Sequence, residues 1–422
     1  MPAHLCRVVL CMVALSINRA SAEDKALDRK ELIPELIRNN PEIRAARYRF
    51  EAATKRPSQA GALPDPTVSY TNFGVGHPFS RLNGSDFAYQ GFGVSQDLPY
   101  PGKLALASEE AKREADSEHE NYRSTVLAVS SRLKVAYFEW LGVNKATELT
   151  RQNRDLLSRF EEIARARYAV GKGLQQDVLK AQLELSTIER QLETLNEKSA
   201  RAEAGIASLL AVPNVRFTAP EDFQPSPFKI SLSDLLRLVN DSPRVRAQQE
   251  MVDARATGVN RSRKDFRPDF GVNFQWEHTG SPFRDYYMAS AAVKIPIYYG
   301  RKQRYALEQS VSRLEEAKQN YQAARQQSIF NVKDQFLAIV SSERIINLYK
   351  TTLIPQGSLT VDSAASAYET GAIDFLSVLT NVGNLIGLRQ QYYDEIVRHE
   401  EAIANLEPAV GKELVPFGEV AK

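Results

Sequence analysis

Beyond its first 22 residues the chain holds few side chains of the kinds that do chemistry. It has four histidines (His77, His119, His278, His399), two methionines (Met251, Met288) and no cysteine. None of these stand at the short spacings that wrap a zinc or copper ion, so no metal site is expected. His278 reads instead as a strand-end residue. Gly171-x-Gly173 lacks the third glycine and the preceding strand of a nucleotide-binding turn. Glu109-Glu110 and Glu161-Glu162 are adjacent on helical sequence, and adjacent helical residues do not face each other. They read as solvated faces, not as an acid–base pair. Asn83-Gly84-Ser85 matches a glycosylation acceptor and reads as a loop. With no Ser/His/Asp grouping, the residues point to no enzyme and no cofactor.

The first 22 residues read as an export signal. Arg7 precedes the apolar run 8–17, and Ala20-Ser21-Ala22 suits a small-residue cleavage site. Both cysteines, Cys6 and Cys11, fall inside it, so no disulfide is expected. Cys11 follows Val8-Val9-Leu10 where a lipid-attachment signal has a small residue, so no lipid anchor is expected either. Without Arg7 and Arg19 the basic and acidic residues balance, which argues against nucleic acid as a partner. No later segment approaches 18 consecutive apolar residues, so no membrane-spanning helix is expected.

The elements that organise the rest are long. Residues 103–170 contain no proline and one isolated glycine, Gly142. A helix over that stretch is roughly 100 Å long at about 1.5 Å per residue, several times the helix of an ordinary globule. Narrow apolar stripes run along it (Val126, Val129, Leu133, Ala136, Trp140) and along a later counterpart (Tyr321, Ala324, Ser328, Val332, Phe336, Ile339). Such seams suit coiled-coil packing between rods wetted on two sides. An ordinary coiled coil has the same seams.

The order of elements occurs twice. Pro41-Glu42-Ile43-Arg44-Ala45 aligns with Pro243-Arg244-Val245-Arg246-Ala247, Pro64-Asp65 with Pro268-Asp269, and Gly102-Lys103 with Gly300-Arg301. Tyr168, Gly171, Val178 and Leu179 align with Tyr368, Gly371, Val378 and Leu379. This is a duplication. The expected organisation is a signal peptide (1–22), repeat 1 (31–212), a proline-rich linker (213–230), repeat 2 (231–408) and a tail (409–422). Residue counts suggest that 174–211 and 231–263 stack end to end beside the first long helix, with 373–407 and 31–60 beside the second. Pro355 predicts a kink in that second helix.

Each repeat also carries two alternating runs, at 67–73 and 87–96 and again at 270–278 and 286–295. Phe270, Val272, Phe274 and Trp276 share one face, and Gly271, Asn273, Gln275 and Glu277 the other. Nine or ten residues, apolar outside and polar inside, suit a transmembrane β-barrel. A soluble hairpin packed on a core shows the same alternation. Four strands are too few to close a barrel, and open edges are not tolerated in lipid, so several copies must share one. Three copies supply about twelve strands above a ring of helical columns.

The order of elements, the Pro-Asp signals before the strands, Ser95-Gln96-Asp97-Leu98-Pro99-Tyr100-Pro101-Gly102-Lys103-Leu104 and the paired Tyr-x-x-Gly turns resemble the TolC-like outer-membrane efflux proteins. Within them the chain is most similar to the branch serving cobalt-zinc-cadmium and copper exporters. The resemblance implies a mainly α fold with a transmembrane β part: a homotrimer whose twelve-stranded β-barrel sits in outer-membrane lipid on a long periplasmic α-helical barrel. It implies a passive exit duct for heavy-metal cations, docked to a periplasmic adaptor and an inner-membrane transporter of the RND type. Drugs or a secreted polypeptide are the alternative cargo, and a periplasmic adaptor or structural rod is the alternative of another class. The helical-hairpin tips are the family's docking and gating end, here Tyr168, Gly171 and Leu174 with Gly371 and Ile373. The family's gate bond maps to the Tyr368 hydroxyl and the Asp177 carboxylate, the other reading being a seam tyrosine and a solvated acid. Ser377, Thr380 and Ile373 depart from the family's entrance aspartates and gate arginine.

Overall fold

The computed structural model describes residues 29–74, 88–213, 223–280 and 282–417. The expected signal peptide, the loop with His77 and Asn83, and most of the linker's first half lie outside these residues. Three short helices, α1 (Arg29–Asn39), α2 (Pro41–Ala53) and α3 (Arg56–Gly61), lead into strands β1 (Thr67–Phe73) and β2 (Tyr89–Leu98). The long α4 (Lys103–Ala169) and α5 (Gln175–Leu210) complete the first round. The second begins with α6 (Leu232–Leu238) and α7 (Pro243–Lys264), continues through β3 (Asp269–His278) and β4 (Tyr286–Lys294), and ends with α8 (Gln303–Leu348), α9 (Ile354–Thr370) and α10 (Phe375–Val410).

Each break has a local cause. Asn40 ends α1 and caps α2, its Oδ1 accepting from the Glu42 and Ile43 N–H groups at 2.9 and 3.1 Å, with Pro41 pre-set for the first turn. The same side chain donates from Nδ2 to the Leu209 carbonyl at 2.8 Å. One amide therefore caps the start of α2 and the end of α5. At the other junction Gly411, with φ of 81°, ends α10 against the start of α7, where a Cβ would lie 2.6 Å from Pro243 Cδ. The stacking thus corrects the expectation from residue counts: α5 continues into α2–α3, and α10 into α7. The helices are nearly equal in length, so counting did not distinguish the two pairings.

The result is four side-by-side columns. The uninterrupted α4, 67 residues long, is flanked by α2–α3 and α5 on one side and by α7 and α10 on the other, with α8–α9 beyond. The predicted stripes form the seams, Val129, Leu133 and Trp140 being buried in one and Ser328, Val332 and Ile339 in another. Polar bonds fix the register: Ser117 Oγ donates to the Ala247 carbonyl at 2.8 Å, and Trp140 Nε1 donates to Glu203 at 3.1 Å. Lys134 is buried between Glu407 and Glu413, at 2.7 and 2.8 Å.

Near Pro355 the expected kink gains a local cause, and at the glutamate pairs the reading is corrected. The irregularity in the second long helix is a π-turn over Tyr349–Leu353, just ahead of Pro355. Proline has no N–H for the carbonyl one turn earlier, and the wider turn absorbs that loss. The glutamate pairs are not simply solvated. Glu110 faces Arg261 at 2.9 Å and Arg255 at 3.7 Å across α7, and Glu161 is buried while Glu162 is exposed.

The four strands form one antiparallel sheet in the order β1-β2-β3-β4. Register carries the alternation across every strand. Val68 opposes Val94, Val94 opposes Phe274 and Phe274 opposes Ala289 on one face, while Ser69 opposes Gly93, and Gly93 Gln275, on the other. The apolar face is packed on no core: Val68 is 71 % exposed and Phe274 51 %. That removes the soluble-hairpin alternative within the chain. Strands β1 and β4 are left as open edges.

Candidate gate and docking tips

Both helical hairpins turn on the same device. Beyond α4, Gly171 adopts φ of 72°, its N–H bonds to the Tyr168 carbonyl at 3.0 Å and the Lys172 N–H to the Arg167 carbonyl at 2.9 Å. Beyond α9, Gly371 adopts φ of 80°, with Gly371 to Tyr368 at 3.0 Å and Ala372 to Ala367 at 2.8 Å. These are paired Schellman turns, in which the left-handed residue is glycine because a Cβ is strained there. The Tyr-x-x-Gly pattern is thus a turn requirement in both repeats.

The predicted tip residues divide into two groups. Tyr168 and Leu174 are 48 % and 60 % exposed and offer apolar surface at the very end of the first hairpin. Ile373 is turned inward and packs on the seam between the hairpins. In that seam Tyr368, only 3 % exposed, lies among Phe160, Ala164, Val361, Phe375 and Val378, its ring 5.5 Å from that of Phe375. Burial pushes the Tyr368 phenol up, the Asp177 carboxylate adds to the shift, and Arg167 opposes it. Asp177 therefore acts on Tyr368 through space. No hydrogen bond joins the two among the described residues.

The direct tie between the hairpins is Arg167, which sequence reasoning missed. Its Nη1 donates to the main-chain carbonyl of Tyr368, and its guanidinium lies 4.7 Å from the centre of the Tyr368 ring. Nη2 also approaches the Lys172 carbonyl at 3.5 Å. A basic residue in the last turn of α4 was a visible signal, since cations suit helix C-termini. What it reaches across to was not visible. Ser377 also has a structural use: its N–H donates to Asp374 Oδ1 at 3.1 Å, capping α10. Thr380 is exposed and bonds back to the Leu376 carbonyl at 2.9 Å. Just above the tip, Glu161 accepts from Arg165 and, at 3.2 Å, from Gln182 of α5, which together hold its carboxyl below the usual range.

Higher up, a recess of about 500 Å³ between α4, α5 and α10 is floored by Ala136, Gly142, Ala202 and Gly205 and rimmed by Glu139, Asp394, Glu401, Lys198, Arg201 and Arg398. Burial, with Glu139 beside it, pushes the Glu401 carboxyl up to about 7. Between its ordinary value of 4.5 and about 7 the folded chain holds a proton there that the unfolded chain has released. Its contribution to stability therefore falls as pH rises through that window. The melting temperature is expected to drop less between pH 5 and pH 7.5 in Glu401→Gln than in the parent, and equal drops would refute this assignment.

A sheet with one uncovered apolar face, mounted on a sheaf of long columns, is what an outer-membrane duct requires of each chain. The chain belongs to the outer membrane efflux protein family, whose pattern it matches over residues 32–212 and 236–412. It is an outer-membrane efflux channel component with a long helical extension. It is similar to the cobalt-zinc-cadmium resistance protein CzcC of Cupriavidus metallidurans, with 22% identity over 280 residues that span 66% of each chain. Among solved structures its fold is similar to that of CusC (TM-score 0.78, 16% identity, 92% of this chain and 93% of that one). It is also similar to VceC of Vibrio cholerae (TM-score 0.77, 18% identity, 91% and 96%). The rod alternative is thereby set aside.

Proposed function

We propose that the protein is the passive exit duct of a tripartite pump for heavy-metal cations, in which three copies share one barrel. The observation that carries the duct is the four-stranded sheet, apolar on one side and open at both edges, mounted on columns of α4's length. Four strands do not seal a pore, and lipid admits no open edge. Exposed Tyr168 and Leu174 at the tip supply the surface for a periplasmic adaptor, with an inner-membrane transporter of the RND type as the energy source. Gly171, Gly371 and Ile373 shape the same docking tip, and Asp177 and Tyr368, with Arg167, form the gate. The metal cargo is supported by the likeness to CzcC. Recognition of the cation is assigned to the partners.

The test is a deletion strain complemented with this chain and challenged with zinc, cobalt, cadmium, copper, dyes and detergents. Restored tolerance to the metals alone is expected. Tolerance restored only to the organic compounds would replace the metal cargo with drugs.

A further inference from the structure

In the first repeat, the turn that follows the hairpin is clamped inside the chain. The Tyr100 N–H donates to Asp269 Oδ1 at 2.7 Å, and Lys103 Nζ reaches the same oxygen at 2.8 Å. The residue that opens β3 thus ties the end of β2 to the start of α4. The second repeat makes a related turn, with Gly300 outside the left-handed region that Gly102 occupies and the helix starting at Gln303, two residues beyond Arg301. Its Arg301 N–H bonds to the Tyr298 carbonyl at 3.0 Å, as the Lys103 N–H bonds to that of Tyr100 at 3.0 Å. Its one extra residue is absorbed where the Ile297 N–H closes on the Ile295 carbonyl at 2.9 Å.

The acidic half of this second clamp is missing from beside it. The counterpart of Asp269 in the duplication is Asp65, which precedes β1 at the opposite edge of the sheet. Asp65 and Arg301 are both exposed, and among the described residues neither side chain has an ion pair. A single chain holds both halves of the clamp on edges that do not meet. A second copy brings them together.

We propose that Arg301 and the Tyr298 N–H of one copy hold Asp65 of the next, so that β4 pairs with the neighbour's β1 in the register that β2 and β3 adopt within the chain. Inside the chain Leu98 opposes Phe270, Gln96 opposes Val272 and Val94 opposes Phe274. Leu98 corresponds to Ile295, each followed by proline, and alignment of Asp65 with Asp269 places Val68 and Tyr70 where Val272 and Phe274 stand. The register between copies is then Val293 opposite Val68 and Ala291 opposite Tyr70. Every one of these residues lies on the apolar face, so the outer surface continues across the joint without a step. The opposite charges of Asp65 and Arg301 select this neighbour and this register. The inference rests on the reading that several copies share one barrel.

Because no cysteine follows residue 11, introduced thiols report cleanly. Oxidised outer membranes carrying Val68→Cys with Val293→Cys are expected to give disulfide-linked dimers and trimers. Val68→Cys with Ala291→Cys, two residues out of register, is expected to give several-fold less. Preference for the second pair overturns the register, and absence of any cross-link in a protein that still extracts as a trimer overturns the pairing. A monomer in every detergent would instead overturn the shared barrel itself. Asp65→Arg and Arg301→Asp are each expected to lower the fraction of detergent-resistant oligomer several-fold, and the double exchange to restore it. Singles without effect, or a double that stays as weak as the singles, would overturn the ion pair.

Discussion

The Phe274→Arg variant is expected to fail to insert into the outer membrane, while Asn273→Arg, one residue away, inserts normally. Phe274 stands in the middle of β3 on the uncovered apolar face, between Val94 and Ala289, whereas Asn273 lies between Ser95 and Ser290 on the polar face. A charge at the middle of a barrel's lipid-facing surface costs about 2–4 kcal/mol, and one on the lumen side costs little. Three copies in one barrel would each carry that cost. Membrane fractionation of the two variants, with heat-modifiable mobility as the sign of a folded barrel, checks the expectation. Equal insertion of both would mean that the apolar face is not the one in lipid.

The second large effect concerns the tip. Arg167→Ala removes a charge-assisted bond to the Tyr368 carbonyl together with the stacking of the guanidinium on the ring, about 1.5–3 kcal/mol for the bond alone. A higher conductance in planar bilayers and greater entry of large antibiotics are expected. Tyr368→Phe keeps the carbonyl and the ring and is expected to change both far less. If Tyr368→Phe instead opens the channel as widely as Arg167→Ala, the phenolic hydroxyl and Asp177 are the latch. In that case the bond to the main chain is incidental.

The contrast between these two residues shows what the chain's letters disclose. Tyr368, Gly371, Tyr168 and Gly171 stand out because a left-handed turn accepts little but glycine, and the duplication displays the rule twice. The strands were equally plain, since period-two alternation has few other causes. Arg167 showed only as a basic residue at a helix end, because its partner is a main-chain carbonyl about two hundred residues away, which has no side-chain signature. For the same reason nothing in the sequence announces the bond from Asn40 to the Leu209 carbonyl, which sets one of the helix stackings. Glu161 looked solvated because its concealment comes from α5 and not from its own helix. Local rules reach as far as one turn or one strand. Which column lies beside which depends on contacts that no local rule describes.

The polar side of the sheet is built of small groups along the middle of β2, with Gly91, Gly93 and Ser95, and of stacked rings at the loop end, where Phe73, Tyr89 and Tyr286 stand together. At Gly91 the wall is already at its limit, a Cβ there falling 2.6 Å from the Trp276 carbonyl. In a barrel shared between copies, a solute leaving along that side would meet hydroxyls and bare backbone first and a belt of aromatic rings last, at the outer end.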